Sequence, residues 1–287
     1  MLNNGGFMAE QIDWSKMLGA GYFRDRTVLI TGASSGIGRD IAISLSRMGA
    51  QVAMLARRKA LLDELKGQVE SAGARALALG ADVTRASEVR GAVDRTLETF
   101  GAIDILVNSA GVLIPDNVES MDPADLERMM GVNLYGTVHA MQAVLPSMRA
   151  RSRGNIVNIA SLAGRRGLPP LGGYCATKFA VVGLTEALRV ELYGSGITAS
   201  LIMPEIVDTP MVRESNSKKP GLPDNIIAMP PQWVTWAVIA AVMVGLAEVD
   251  VPPGAAVAEK LAALFPGLTD AVIALGNSLM GWAGRRP

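Results

Sequence analysis

Cysteine and histidine are almost absent from the sequence, which contains one residue of each, Cys175 and His139. One cysteine cannot form an internal disulfide, and this pair cannot supply the ligands of a protein zinc site. We therefore expect no metal site and a reducing, cytoplasmic location. Because no histidine lies near it in the sequence, we expect Cys175 to be a packed side chain rather than a nucleophile.

Neither sign of charge is in excess. The 27 Lys and Arg residues are balanced by 27 Asp and Glu residues, so the formal net charge is zero. A nucleic-acid-binding protein usually carries a basic surface, and we expect no nucleic-acid partner. The apolar content of 49% is too high for a disordered chain, and 287 residues can bury a sizeable core.

Long apolar runs are also missing. The longest strongly apolar run, residues 233–247, has 15 residues. As a helix it would be ~22 Å long, whereas the hydrocarbon core of a bilayer is roughly 30 Å thick. Residues 1–11 lack the apolar stretch of a secretory signal. We expect neither a membrane span nor a signal peptide.

Short aliphatic runs alternate with amphipathic stretches along the chain. This pattern predicts a single doubly wound parallel sheet with helices on both faces, a Rossmann-like α/β fold. The strands are predicted at residues 27–31, 51–56, 75–80, 103–108, 155–160, 197–203 and 249–251. The helices are predicted at residues 37–49, 58–72, 85–100, 122–150, 173–193 and 231–247.

Two segments fall outside this alternation, and we divide the chain accordingly. Residues 1–26 form an N-terminal arm, 27–252 the main domain and 253–287 an apolar C-terminal extension. Within the main domain, residues 204–230 contain five prolines and are predicted to be a long irregular loop. Since ligands bind at the carboxyl ends of the strands in such sheets, we interpret this loop as a lid.

A glycine-rich turn, Thr-Gly-Ala-Ser-Ser-Gly-Ile-Gly, follows the first predicted strand and leads into a helix. Glycines let the main chain approach a pyrophosphate, and the helix N-terminus offers unpaired N–H groups. The alternative is an ordinary turn, because the GxxxGxG spacing differs from the GxGxxG fingerprint. We expect this turn to bind a dinucleotide through Gly32, Ser34, Ser35, Gly36, Ile37 and Gly38.

The end of the second predicted strand indicates which dinucleotide binds. Folds that prefer NAD carry an acidic residue there for the ribose 2′-hydroxyl, whereas this chain has Ala56 followed by Arg57 and Arg58. A small side chain leaves room for a 2′-phosphate, and an arginine can pair with it. We predict NADP(H) rather than NAD(H), with Arg57 as the main contact and Arg58 in support. A solvated basic helix start is the alternative.

Tyr174 and Lys178 are four residues apart in a predicted helix and therefore share one face. A phenol with a pKa of about 10 exchanges protons poorly at neutral pH. An ammonium group ~4 Å away could lower that pKa by about 3 units, at roughly 4 kcal/mol. On a solvent-facing helix the same pair would have no function.

Three further polar residues stand at informative positions. Ser161 follows the fifth predicted strand, Asn108 ends the fourth, and Asn133 lies among apolar neighbours where it needs a partner. Over about residues 27–252, the chain resembles the short-chain dehydrogenase/reductase family. The resemblance is carried by the glycine turn, Asp82-Val83, the segment 108–111, Asn133, Ser161 and Tyr174-x-x-x-Lys178.

This resemblance implies an oxidoreductase that transfers a hydride between a nicotinamide cofactor and a ketone or alcohol. Tyr174 would be the general acid, Lys178 would lower its pKa, and Ser161 would hydrogen-bond the substrate oxygen. Asn133 would position a water that links Lys178 to solvent. The other implied cofactor contacts are Asp82 at the adenine, Asn108 at the central part, Thr209 at the nicotinamide carboxamide, and Val83, Ala110, Gly111, Tyr174, Lys178, Pro204 and Val207.

The chain departs from the family pattern at two positions. Ser109 replaces the second residue of Asn-Asn-Ala-Gly, and Glu205 replaces the glycine of a Pro-Gly pair. Glutamate has less backbone freedom than glycine, and its carboxylate would lie near the nicotinamide side of the site.

The predicted lid and the C-terminal extension both contain features that indicate the class of substrate. Residues 208–220 are similar to the corresponding stretch of 3-ketodihydrosphingosine reductases, which act on a long-chain keto substrate. Residues 255–282 are apolar and could shelter an acyl chain, lie on a membrane surface, or pack on the domain or another subunit.

Three functions remain open from the sequence. The first is NADPH-dependent reduction of a hydrophobic, acyl-chain ketone. The second is oxidation of a small or steroid-like alcohol, and the third is cofactor binding without turnover. The family resemblance further implies a homodimer or homotetramer built on the helices at 122–150 and 173–193.

Overall fold

The computed structural model describes residues 21–218, 228–255 and 262–279. Their strands form one seven-stranded sheet in the order β3-β2-β1-β4-β5-β6-β7, with every pair parallel. The predicted doubly wound fold is confirmed. The strands are β1 Thr27–Thr31, β2 Gln51–Ala56, β3 Ala76–Gly80, β4 Ile105–Asn108, β5 Gly154–Ile159, β6 Ile197–Pro204 and β7 Glu248–Val251.

Helices cover both faces of the sheet and pack on it through buried apolar side chains. One buried cluster joins the sheet to α1, α2 and α8, and a second joins it to α3, α5 and α6. The helices are α1 Gly36–Arg47, α2 Lys59–Ser71, α3 Ala86–Phe100, α4 Pro123–Met130, α5 Gly136–Ala150, α6 Gly172–Glu191, α7 Pro210–Lys218, α8 Pro231–Val244 and α9 Pro266–Leu279.

The predicted helix at 122–150 differs from the observed one in its interior. Asp122 caps α4 as expected, since its Oδ1 accepts a hydrogen bond from Ala124 N (2.9 Å). A π-helical turn, Gly131–Tyr135, then separates α4 from α5. Such turns occur frequently at functional sites, and this one contains Asn133.

The segment predicted as an irregular loop is partly regular. Helix α7 occupies residues 210–218, and Val207 pairs with Met229 as an isolated bridge that closes the base of the segment. The expectation of a loop without secondary structure is therefore wrong for this part. Residues 219–227 lie outside the described residues, as do residues 1–20 of the predicted arm and 256–261 and 280–287 of the predicted extension.

The C-terminal helix α9 is attached near the carboxyl end of β5. Arg166 forms an ion pair with Asp270 and also donates a hydrogen bond to Pro266 O (3.4 Å). The apolar side chains Leu268, Val272 and Leu275 of α9 are exposed. Of the helices in the described ranges, none is long and apolar enough to cross a membrane.

Candidate active site

A cleft of about 590 Å³ opens at the carboxyl ends of the strands. The strand order reverses between β1 and β4, and this switch point is where open α/β sheets bind their ligands. The wall of the cleft combines the glycine turn after β1, the ends of β2, β4, β5 and β6, and side chains of α6 and α7. The sheet therefore gathers most of the predicted site residues in one place.

The glycine turn leaves no space for side chains on its inner side. Gly32 has φ +71°, and a Cβ added to it would lie 2.7 Å from Ala110 Cα. A Cβ on Gly38 would lie 2.6 Å from Gly32 O, so this glycine packs against the turn and does not line the cleft. Gly36 and Ile37 do line it. This backbone-lined cradle at the start of α1 fits the phosphates of a dinucleotide.

The two arginines after β2 have different surroundings. Arg58 Nη2 donates hydrogen bonds to Ser34 Oγ (3.1 Å) and Ser35 Oγ (2.7 Å), which fixes the guanidinium on the glycine turn. Arg57 also lines the cleft, and its charge acts on Asp82. The Arg58 guanidinium therefore holds both serine side chains of the turn through charge-assisted hydrogen bonds.

Asp82 stands across from these arginines beyond the end of β3. Its Oδ1 accepts hydrogen bonds from Thr84 N (3.0 Å) and Thr84 Oγ1 (2.9 Å). Burial alone would raise the pKa of Asp82, but these hydrogen bonds and the charges of Arg57 and Arg85 lower it overall. Asp82 and the adjacent Val83 both line the cleft at this end.

Asn108 lies beneath the cleft and not on its surface. Its Nδ2 donates to Asn158 Oδ1 (2.9 Å), and Asn158 Nδ2 donates to Thr185 Oγ1 (2.8 Å). The side chain is buried between neighbouring strands because Asn108 and Asn158 are register partners in β4 and β5. Ala110 and Gly111, which follow β4, do line the cleft.

Ser161, Tyr174 and Lys178 meet at the other end of the cleft. Ser161 is close enough to Tyr174 for its side chain to lower the pKa of the phenol by hydrogen bonding. Ser161 Oγ accepts from Ala163 N (3.1 Å) and lies 3.3 Å from Pro204 O, to which it donates. Lys178 Nζ donates to Ile159 O (2.8 Å), and it lies 5.6 Å from the centre of the Tyr174 ring.

Burial is the main cause of the pKa shifts of Tyr174 and Lys178. It raises the pKa of Tyr174 well above the ordinary value of 10, which the Ser161 hydrogen bond offsets only in part, and Cys175 raises it further. Burial also lowers the pKa of Lys178 from 10.5 to about 8. The expectation of a lowered tyrosine pKa is not met in this structure, because burial raises the pKa of Tyr174 and Lys178 is not among the groups that shift it.

Asn133 is fixed by three hydrogen bonds. Its Oδ1 accepts from Val112 N (2.8 Å), while its Nδ2 donates to Val112 O (3.0 Å) and Thr177 Oγ1 (2.9 Å). Thr177 Oγ1 in turn donates to Tyr174 O (2.8 Å). The buried amide thus connects the π-helical turn with the helix that carries Tyr174. The water relay predicted for Asn133 stays a prediction.

The remaining wall comes from β6 and the segment that follows it. Pro204, Val207 and Thr209 line the cleft as expected. Sequence reasoning gave no individual role to several apolar lining residues. Leu113, Ile114 and Pro115 lie in a segment without a motif, whereas Met211 and Val212 lie in the predicted lid.

Cys175 is buried against Leu171 and Ala163, as expected for a packed side chain. Thr177, which connects Asn133 to Tyr174, was also missed. Thr177 stands directly before Lys178 in the sequence, but no sequence pattern indicates its hydrogen bond with Asn133. In the described ranges, no group of three or more His, Cys, Asp or Glu residues could hold a metal ion.

Comparisons with known proteins agree with this geometry. An uncharacterized oxidoreductase of Staphylococcus saprophyticus is 39% identical over 189 residues, which cover 66% of this chain and 81% of the relative. A glycine betaine reductase of Emericella nidulans is 36% identical over 75% of this chain, but the match spans only 17% of that much longer protein.

The crystal structure of a 3-ketoacyl-(acyl-carrier-protein) reductase from Brucella melitensis complexed with NADH is similar to this structure, with a TM-score of 0.72 and 30% identity. The similarity covers 80% of this chain and 97% of that one. Residues 26–220 match the family described as short chain dehydrogenase. The chain belongs to the short chain dehydrogenase family and is an oxidoreductase.

Proposed function

We propose that this protein is an NADPH-dependent reductase that converts a hydrophobic ketone to a secondary alcohol. The observation that carries the proposal is that Ser161, Tyr174 and Lys178 meet in the cleft that also contains the glycine turn. A bound reduced nicotinamide would supply the hydride. The chain's own residues would orient the ketone and protonate its oxygen.

Tyr174 is positioned to donate that proton, but its raised pKa makes it a weaker acid than a free phenol, so the transfer depends on the positive charge around it. Because burial raises its pKa, the phenol stays protonated at neutral pH and can hydrogen-bond a carbonyl oxygen. If the Ser161 hydroxyl turns its proton from Pro204 O to the substrate, it becomes a second donor at the same point, and the two donors together would stabilise negative charge that develops on the oxygen. Lys178, with a pKa of about 8, is largely protonated at neutral pH and adds positive charge beside the phenol.

The selectivity for NADPH rests on the end of β2. Ala56 lines the cleft where an acidic residue would repel a phosphate, and Arg57 and Arg58 line it beside Ala56. Because Arg58 is already bonded to Ser34 and Ser35, Arg57 is the guanidinium with more freedom to pair with a 2′-phosphate.

A hydrophobic substrate is supported by the lining near Tyr174. Leu113, Met211 and Val212 are apolar, and the exposed apolar side of α9 is attached through Arg166 close to the end of β5. We propose that an acyl chain leaves the cleft toward α9, and that the same helix provides peripheral contact with lipid. The similarity to 3-ketodihydrosphingosine reductases stays a prediction.

The chain is also proposed to form a homo-oligomer through the helices predicted for that role. Helix α6 exposes Phe179 and Val190, Tyr193 follows its end, and Tyr135 is exposed on the π-helical turn. Large apolar side chains that are exposed together are typical of a protein interface. We place this oligomer in the cytoplasm.

Replacing Arg57 by Ala is expected to weaken NADPH binding about 10- to 100-fold and to leave NADH binding within about twofold, because only NADPH carries the 2′-phosphate. Fluorescence titration of both nucleotides measures this. Arg90→Ala removes an exposed arginine on α3 outside the cleft and is the matched control. Wild-type protein that binds NADH as tightly as NADPH would contradict the assignment.

Tyr174→Phe is expected to lower kcat for ketone reduction by at least about 10³-fold, since it removes the proton donor and keeps the ring. NADPH affinity should change by less than about threefold, because the phenol donates its proton to substrate. Stopped-flow kinetics and nucleotide titration measure the two quantities. A variant that retains a tenth of wild-type kcat would show that another group donates the proton.

Lys178 predicts a pH dependence of stability. Its pKa is about 8 in the folded protein and 10.5 as the ordinary value, so between these values the unfolded state binds more protons. The free energy of unfolding should therefore rise with pH, by about 2 kcal/mol from pH 8 to 10 relative to Lys178→Met. Urea denaturation of both proteins gives the difference in the free energy of unfolding. A difference that stays constant across this pH range would contradict the lowered pKa of Lys178.

A series of β-keto substrates with increasing acyl-chain length tests the substrate class. We expect kcat/KM for NADPH oxidation to rise about fourfold for each added methylene until the chain reaches α9, because each buried methylene contributes about 0.8 kcal/mol. Leu113→Ser should flatten the rise without changing kcat for the shortest ketone. A flat series with wild-type protein would reject an acyl-chain substrate and leave the reductase chemistry intact.

A further inference from the structure

Glu205 occupies a fixed position at the rim of the cleft. It follows Pro204, the last residue of β6, and its N–H donates to Val251 O (2.8 Å) at the end of β7. This bond continues the ladder between the two strands, so the backbone that carries the carboxylate is held by the sheet. Glu205 lines the cleft and is exposed.

The carboxylate is attached close to the reacting end of the site. Ser161 Oγ lies 3.3 Å from Pro204 O, the carbonyl oxygen of the peptide that joins Pro204 to Glu205. With ordinary bond lengths, the Cα of Glu205 is therefore within about 6 Å of Ser161 Oγ. A glutamate side chain attached there can reach the region in which a ketone and a hydride donor would meet.

The negative charge of Glu205 is not neutralised by a neighbour. Across the described ranges, no ion pair or side-chain hydrogen bond involves its carboxylate, and three arginines form ion pairs with other carboxylates. Arg165 and Arg189 pair with Glu248, and Arg213 pairs with Asp208.

The other charged groups at this end of the cleft do not neutralise the Glu205 carboxylate. Glu214 on α7 has the same sign as Glu205, and Asp125 and Arg128 on α4 add one charge of each sign. Lys178 is the buried cation, and its Nζ donates to Ile159 O (2.8 Å). The rim of the cleft at Glu205 therefore carries a negative charge on a backbone position that the sheet holds in place.

We propose that Glu205 tunes the bound nicotinamide couple, so that the site holds the oxidised form more tightly than it would with a neutral residue at this position. The inference rests on the proposed function. In the reduction, the hydride takes two electrons from the nicotinamide ring to the carbonyl carbon and Tyr174 gives a proton to the oxygen. A bound nicotinamide ring would become cationic in this step, and the Glu205 carboxylate would stabilise that cation but not the neutral reduced ring.

The direction of the effect favours the reductase. Tighter binding of the oxidised form makes the bound reduced form a stronger hydride donor, so the equilibrium on the protein moves toward the alcohol. For a carboxylate several ångströms away at a solvent-exposed rim, we expect an effect of about fivefold in the ratio of dissociation constants. This ratio corresponds to about 20 mV in the midpoint potential of a two-electron couple.

The test measures dissociation constants of the oxidised and reduced nucleotides for wild type, Glu205→Gln and Glu127→Gln by calorimetry. NADP⁺ and NADPH are the probes, with NAD⁺ and NADH in parallel because the charge difference is on the ring. Glu205→Gln should weaken the oxidised form about fivefold and leave the reduced form unchanged. Glu127→Gln removes an exposed carboxylate of α4 outside the cleft and should leave the ratio unchanged.

Salt provides an independent readout. The difference between wild type and Glu205→Gln should shrink between 0.05 and 0.5 M NaCl, roughly the range in which exposed charges become screened. An unchanged ratio in Glu205→Gln, or equal weakening of both forms, overturns the role of Glu205 alone. Wild-type protein that binds neither form overturns the proposed function together with this inference. No outcome depends on knowing the substrate.

Discussion

The site depends on the hydrogen bond that the buried ammonium group of Lys178 donates to the main chain. Its bond to Ile159 O ties helix α6 to the carboxyl end of β5, and an ammonium group so removed from water requires such a partner. Tyr174 lies one helical turn earlier on α6, while Ser161 follows β5. The same helix–strand contact therefore aligns the proton donor with the serine and keeps the reactive groups on rigid elements.

Much of the fold could be predicted because its signals are local. Buried parallel strands appear as aliphatic runs, and the observed bounds of β1 and β2 equal the predicted ones. The turn from Gly32 to Gly38 could likewise be interpreted, since it occupies a strand–helix junction where close approach requires glycine. The order of strands in the sheet was not predicted, because it arises from contacts between distant segments.

The rest of the site depends on three-dimensional surroundings. The distance from Tyr174 to Lys178 in sequence was correct, but their acidity is set by burial, which spacing does not reveal. Asn108 ends its strand as predicted, yet its side chain pairs with Asn158 because two strands 50 residues apart are neighbours. The link from Asn133 through Thr177 requires the π-helical turn, for which the sequence shows no signal.

The contact between Arg58 and the two serines of the glycine turn has a consequence for the speed of nucleotide capture. A loop that is already hydrogen-bonded to the segment after β2 loses little conformational freedom when phosphates bind, so its ordering adds little to the entropy cost of association. The nucleotide then meets a glycine turn that is already in its binding conformation. The rate of binding therefore depends on diffusional collisions rather than on rearrangement of the turn.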